Sequence, residues 1–443
     1  MDQQVGDAAR TCHDSFRELR WSTMVLRRAP LILALVTAAM LALGSALVPV
    51  LPATAVAAAC SAPAWAEGTS YRAGDQVTYE GSGYTATMGH TAHPGAGWDP
   101  ASTPTLWTHD GTCDGGPAPD PTPDPEPEPE PDPEAGTPVA ANGQLSVCGV
   151  KLCNEHGSQI QLRGMSTHGT QWYSQCVTDA SLDTLAYDWN ADVMRISTYV
   201  QEGGYETDPA RFTALVNDYI DMLSARGMYA IVDWHMLDPG DPNFNLQRAK
   251  TFFTAVAERN SGKNNIIYEV ANEPNGVSWQ AIKSYHEQIV PVIRAQDPDA
   301  VVLLGTRAWS SLGESEGSDE SEVVNNPVDA SNVMYTFHFY AATHDQEYLS
   351  TLSRAADRIP MFITEFGSQN SAGEGANDFA MTQRYLDLAE SKKISWVNWN
   401  FSDDHRSGAV FTEGTCSGAS FGTDRLKEAG AWIRDRIRTA DDF

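Results

Sequence analysis

Positive charge is scarce in this chain. Its 443 residues carry 29 lysines and arginines against 58 aspartates and glutamates, a formal net charge of −29. Nucleic acids and anionic membranes are polyanions, so neither is expected as a partner. A neutral or cationic polymer suits the balance better. Metal-binding cysteine pairs are missing as well: no CxxC stands with a histidine or a second CxxC, so a cysteine metal site is not expected. The chain does not lack a core. Its residues are 42% hydrophobic and 9% aromatic, which excludes disorder as its overall state.

Charge of either sign is also absent from Ala29 to Ala66. Arg27 and Arg28 precede an apolar run from Ala29 to Leu51, and ATAVAAA offers small-residue cleavage sites after Ala57 or Ala59. Residues 1–59 therefore read as a secretion signal, and an extracellular protein without stable membrane association is expected. The run is long enough to span a bilayer, but Pro30, Pro49, Pro52 and the alanine-rich exit weigh against a retained anchor. Residues 1–23 are mixed in charge and stand ahead of MVLRR, so translation is expected to start at Met24. Initiation mapped to Met1 alone would refute that.

Export makes the cysteines interpretable. Cys12 leaves with the signal, and Cys60, Cys113, Cys148, Cys153, Cys176 and Cys416 remain for an oxidising compartment. Fifteen pairings are possible in principle. Domain boundaries prune them: Cys60 and Cys113 bracket a small segment, Cys148 and Cys153 are close enough to clip a hairpin, and Cys176 is left with Cys416.

From 114 to 139 the chain reads DGGPAPDPTPDPEPEPEPDPEAGTPV, with eight acidic residues, no basic ones and proline at nearly alternate positions. Proline favours extended polyproline geometry and the carboxylates repel, so this is a semi-rigid spacer. It divides residues 60–113 from residues 140–443. In the smaller part, QVTYEG and SGYTATM alternate and are broken by glycine, which predicts a small antiparallel sheet with a hairpin near Gly81 to Gly83. Trp65, Tyr71, Tyr79, Tyr84 and Trp107 read as its core. Trp98, in a loop between Gly97 and Pro100, has little to bury in and reads as a binding residue.

The pattern AW…Y…AGDQVTY…GYTAT…GW.P…P.LW across this segment resembles carbohydrate-binding modules of families 5 and 12. The resemblance implies an all-β, disulfide-stapled module gripping cellulose or chitin through Trp98, with His90, Thr91 and Pro104 as further candidates. Met88 and Gly89 stand where some relatives carry a tandem tryptophan pair.

Beyond the spacer, apolar runs alternate with amphipathic helical patterns, the order of a (β/α)8 TIM barrel of the α/β class. The expected strands are IQLRGMS from Ile160, DVMRIS from Asp192, MYAIVDWH from Met228, IIYEVANE from Ile266, AVVLLGTR from Ala300, NVMYTFHFY from Asn332, PMFITEF from Pro360 and SWVNWNF from Ser395. Helices are expected over PARFTALVNDYIDMLSARG and NLQRAKTFFTAVAERN. Two glutamates then stand out. Glu273 and Glu365 end the fourth and seventh runs, at the face where such barrels do chemistry, and carboxylates at the rim of an apolar core need a reason. Glycosidic bond cleavage supplies one, because it uses one protonated carboxyl and one ionised carboxylate.

NEPNG from Asn272 and ITEFG from Ile363 resemble the acid/base and nucleophile signatures of glycoside hydrolase family 5. LRGMSTHGTQWY, VMRIS, VDWHML, FHFY and WVNWNFSDD resemble the bacterial endoglucanases of that family, over residues 140 to 438. The resemblance implies Glu273 as acid/base and Glu365 as nucleophile, with Arg195 and Tyr340 beside Glu365. Asn272 is implied at the sugar 2-hydroxyl, and His338 against the acid/base. His168, Trp172, His235 and Trp399 are implied to bind substrate. Asp403, Asp404, His405 and Arg406 are placed on the glycone side without individual roles. The expectation is a secreted, monomeric, retaining endo-β-1,4-glucanase acting on cellulose or a related polysaccharide, with no metal and no other cofactor. A β-mannanase or a chitosanase on the same frame is the alternative enzyme, and a non-catalytic polysaccharide-binding scaffold the alternative of another class. The intact set of polar residues argues against the scaffold.

Overall fold

The computed structural model describes residues 61–93, 97–113 and 136–439. The expected signal over 1–59, Cys60 and most of the spacer lie outside the described residues. Two units divide the chain, Met1–Glu126 and Pro127–Phe443.

The smaller unit contains β1 (Ser70–Tyr71), β2 (Gln76–Tyr79), β3 (Ser82–Ala86), β4 (His90–Thr91) and β5 (Trp107–Thr112). β2, β3 and β5 form an antiparallel sheet, and β1 pairs with β4. The β2–β3 hairpin turns on Glu80 and Gly81, just ahead of the expected place, both at positive φ (46° and 76°). Such a pair matches the twist of the flanking strands. Tyr71, Tyr84 and Trp107 are buried with Val77, Ala86 and Ala92, and Trp65 and Tyr79 pack against them. Trp98 is 38% exposed. Cys113 is disulfide-bonded.

The larger unit opens with a helix, Pro138–Asn142, capped by Thr137 Oγ1, which accepts from the Ala140 N–H. This helix begins inside the stretch read as spacer. Val139 is buried and donates its N–H to Gly227 O at 2.9 Å. Thr-Pro serves a spacer and a helix start equally well, so composition alone placed the boundary slightly late. Next comes a hairpin of β6 (Ser146–Cys148) and β7 (Lys151–Cys153), bridged by the Cys148–Cys153 disulfide.

Eight parallel strands then close a barrel: β8 (Arg163–Thr167), β9 (Val193–Tyr199), β10 (Tyr229–His235), β11 (Ile266–Glu269), β12 (Val301–Leu304), β13 (Val333–Tyr340), β14 (Met361–Gly367) and β15 (Trp396–Phe401). Each overlaps one of the eight apolar runs, with β8, β9 and β14 running one or two residues past theirs. The two expected helices span Pro209–Ser224 and Leu246–Arg259, with buried Phe212, Val216, Ile220 and Leu223 along the inner face of the first. Two strands stop short of the carboxyl ends of their runs, β11 at Glu269 and β12 at Leu304. Glu273 therefore stands in the loop beyond β11.

Side chains inside the barrel change character along the strands. At the amino-terminal end Val193, Tyr229, Ile231, Ile267, Val301, Met334, Phe362 and Val397 form one apolar cluster, closed below by Leu145 and Leu152 of the hairpin segment. Period-two alternation carries the same faces onward to Arg195, Asp233 and Glu269, which are all fully buried. Charge thus replaces hydrocarbon toward the carboxyl-terminal mouth.

Candidate active site

Arg195 is the hub of that charged layer. Its Nη1 donates to Glu365 Oε2 at 3.2 Å, its Nε to Glu269 Oε2 at 2.6 Å, and its Nη2 to Asn272 Oδ1 at 2.6 Å, with Asp233 Oδ2 3.0 Å from Nη2. A guanidinium with no exposure needs such partners, since an unpaired buried cation is costly. Arg195 sits within β9 rather than at its end. Glu365, on β14, also accepts from the Tyr340 hydroxyl at 2.6 Å.

Glu273 has a different environment. His338 Nδ1 lies 2.9 Å from Glu273 Oε1, and its Nε2 lies 2.9 Å from Thr364 Oγ1 and 3.8 Å from Glu269 Oε1. Burial alone would depress the His338 imidazolium, but the carboxylates of Glu269 and Glu273 raise it to about 9. His338 is therefore a cation at neutral pH. Burial also raises Glu365, yet the charges of His338 and Arg195 outweigh it and hold that carboxyl below its ordinary value. For Glu273 burial prevails, aided by the charge of Glu365, and its carboxyl is raised. One carboxyl is thus biased toward its acid and the other toward its anion. Oxygens of the two lie within 4.8 Å of each other.

Above them opens a cleft of about 990 Å³ whose walls include His168, Trp172, Tyr199, His235, Trp399 and Asp404. Trp172 is 43% exposed and meets Tyr199 edge-on at 4.9 Å. Trp399 is nearly covered, with its ring 5.4 Å from His235 and stacked on it. His235 Nδ1 bonds Asp233 Oδ2 at 2.7 Å. His168 Nδ1 accepts from the Gly169 N–H, which leaves the Nε2 proton to face Asp404 Oδ2 at 3.5 Å. The Cys176–Cys416 disulfide ties the segment after β8 to the segment after β15. Cys416 N also donates to Asp403 Oδ2 at 3.0 Å.

Residues 153–405 match the family described as Cellulase (glycosyl hydrolase family 5), and residues 64–108 match the carbohydrate-binding module family 5/12. The curated protein "Endoglucanase E-5" of Thermobifida fusca is 52% identical over 373 residues, covering 83% of this chain and 80% of that protein. "Endoglucanase CelA" of Streptomyces lividans is 58% identical over 309 residues, covering 70% and 67% respectively. Among solved structures, the catalytic domain of Thermobifida fusca endoglucanase Cel5A in complex with cellotetraose superposes with a TM-score of 0.68. It is 56% identical and covers 69% of this chain and all of that one. The chain belongs to glycosyl hydrolase family 5.

Within this family 5 barrel, two groups of side chains are close enough to share a metal ion among the described residues. One, Cys176, Asp403 and Cys416, contains the disulfide. The other is Glu273, His338 and Glu365.

Sequence reading missed Glu269 and Asp233, which complete the shell around Arg195, and Thr364, which receives the His338 Nε2 proton. A signal existed for the first two. An arginine at an inward position of a buried strand requires carboxyl partners from neighbouring strands, and both acids occupy inward positions there. In the smaller unit, His90 packs edge-on against Trp107 at 5.0 Å and Thr91 Oγ1 bonds Ser70 Oγ at 2.8 Å, while Pro104 is exposed. Trp98 meets His93 at 5.9 Å and accepts at its carbonyl from Trp107 Nε1 at 3.3 Å.

Proposed function

We propose that this family 5 glycoside hydrolase is a secreted, retaining endo-β-1,4-glucanase whose small module holds it on insoluble polysaccharide. The observation that carries the mechanism is the opposed bias of two carboxyls whose oxygens lie within 4.8 Å. Inversion needs roughly 6.5 to 9.5 Å between carboxyls to seat a water, whereas direct attack needs about 5 to 5.5 Å.

In the proposed reaction Glu365 attacks the anomeric carbon while the glycosidic C–O bond breaks. The leaving oxygen takes the bond's electron pair and the proton of Glu273. Glu365 is then esterified and neutral, which removes the charge that raised Glu273. Glu273 becomes a base, deprotonates a water, and the water attacks the anomeric carbon to release Glu365. Trp172 and Trp399 supply ring faces for the sugars. Arg195 occupies Asn272 Oδ1 and one amide hydrogen is taken by Met236 O at 3.4 Å, so what the amide offers a substrate is its remaining N–H. A 2-hydroxyl can accept from it and a 2-ammonium cannot, which favours glucan over chitosan.

Cellotetraose hydrolysis followed by anomeric NMR tests the stereochemistry. Early products should carry the β configuration, and α-configured first products would overturn the mechanism. Glu365→Gln should lower turnover by at least about 10³-fold while polysaccharide binding persists. Wild-type protein inert on every β-glycan would favour the scaffold reading.

A further inference from the structure

The acid/base stands outside the sheet. β11 ends at Glu269, and no strand partner holds Glu273. Its flanking carbonyls are instead held by a turn that follows β12. Ser310 Oγ donates to Asn272 O at 2.6 Å, and the Trp309 N–H donates to Pro274 O at 3.0 Å. The turn is left-handed through three consecutive residues with side chains, Ala308, Trp309 and Ser310, at φ of 60°, 57° and 55°. L-residues rarely adopt that conformation, and it persists where surrounding contacts over-determine it.

Those contacts are present. Ser310 has no exposed surface, and its hydroxyl accepts from Thr336 Oγ1 at 2.9 Å and from the Thr306 N–H at 3.3 Å. With both lone pairs engaged, its one proton is directed at Asn272 O. Thr336 is on β13, two residues before His338, whose ring holds the Glu273 carboxyl. One strand thus holds Glu273 twice, by its side chain through His338 and by its backbone through Thr336 and Ser310. Close packing reinforces this: a Cβ at Gly305 would meet Ala271 O at 2.0 Å.

We infer that Ser310 is a positioning residue for the acid/base, its hydroxyl and the left-handed turn around it setting where the Glu273 carboxyl meets the leaving oxygen. The inference rests on the reading of Glu273 as acid/base, and its test separates the two. A well-placed acid matters when the leaving group is poor and hardly at all when it is good. Ser310→Ala should therefore lower kcat/KM on phenyl β-cellobioside by about 10-fold or more and leave 2,4-dinitrophenyl β-cellobioside within about twofold. Azide attacks the glycosyl-enzyme without a base, forming the β-glycosyl azide and releasing the Glu365 carboxylate. It should therefore raise kcat of the variant on the dinitrophenyl substrate.

Glu273→Ala is the control and should show the same pattern more strongly. A loss in Glu273→Ala that ignores the leaving group would overturn the acid/base reading itself. If Glu273→Ala shows the pattern but Ser310→Ala loses equally on both substrates, or loses nothing, the positioning role is overturned and the acid/base reading stands. Ser310→Gly removes the same hydroxyl while suiting positive φ, so it folds where alanine is strained. It should reproduce the alanine pattern, and full activity on the phenyl substrate would refute the hydroxyl's role.

Discussion

Replacing Arg195 by lysine keeps one positive charge but removes the fork that reaches Glu365, Glu269, Asn272 and Asp233 at once. A lysine ammonium is a single point and satisfies one or two of these four. Glu365 and Glu269 then lose part of their counter-charge in a site with almost no solvent. Stripping a partner from a buried ion pair is worth about 3–5 kcal/mol, and here the loss is shared among several carboxyls. If Glu365 bears about 1.5–3 kcal/mol of it, its pKa rises by roughly one to two, at 1.36 kcal/mol per pH unit. The sign follows from its role. Glu365 acts as an anion, activity is lost as pH falls through its pKa, and raising that pKa moves the acid limb toward neutrality. The assay is the pH dependence of kcat/KM on soluble cello-oligosaccharides, for wild type and Arg195→Lys. The acid limb should move up by about one pH unit or more, and the plateau should fall by about 10²-fold as Asn272 loses its tether. An unmoved acid limb with kcat/KM within about twofold of wild type would refute the assignment of Arg195 as the group that keeps Glu365 ionised.

Further outcomes follow from single residues. Trp98→Ala should weaken retention on insoluble cellulose or chitin by about 10-fold, the loss of one stacked ring, while hydrolysis of soluble substrates stays within about twofold; unchanged retention would move the gripping surface elsewhere. His286 is fully buried, its Nε2–H donates to Gly305 O at 2.8 Å, and burial lowers its pKa from 6.5 to about 4. The unfolded chain takes up this proton below 6.5 and the folded chain does so only near 4. Its contribution is therefore complete above pH 6.5 and is lost progressively between 6.5 and 4, up to about 3 kcal/mol. Thermal melts across that range should fall less steeply for His286→Gln, which keeps the donor and does not titrate. Equal slopes would show that carboxylates alone set the acid sensitivity.

The barrel was legible because strands buried on both faces are written as apolar runs, and eight such runs with helical patterns between them leave few architectures. Glu273 and Glu365 were legible for the complementary reason, as charges interrupting such runs near their ends. The strand before Glu273 was overread. Val270 and Ala271 continue the apolar run, and Pro274 pushes the residue before it toward extended geometry, so nothing local marks the end at Glu269. Glu269 and Asp233 went unnoticed because their meaning depends on Arg195, which reaches them only when the barrel closes. Nor does the left-handed turn announce itself. RAWS carries neither glycine nor asparagine at its positive-φ positions, and the contacts that impose the conformation come from β13, far along the chain.

Charge bookkeeping across the buried layer explains why so many acids surround one step. Burial, reinforced by the charges of Glu269 and Glu365 and opposed by Arg195, pushes Asp233 far above its ordinary value, and burial pushes His235 far below. Across their 2.7 Å bond both groups are thus biased toward their neutral forms. Glu269, which burial would raise, is drawn down to about 2 by Arg195 and His338. Arg195 and His338 are thus the cations of the layer and Glu269 and Glu365 its anions, with Glu273 biased toward its acid form. In the proposed first step Glu365 becomes a neutral ester and Glu273 an anion, so the sum is unchanged and one negative charge has moved between oxygens that start within 4.8 Å. His338 lies 2.9 Å from the carboxyl that receives it, already protonated. A site that kept total charge constant while relocating one unit over so short a path would need little reorganisation of its surroundings, and fixed groups that need not reorganise are the largest electrostatic advantage an enzyme has over water.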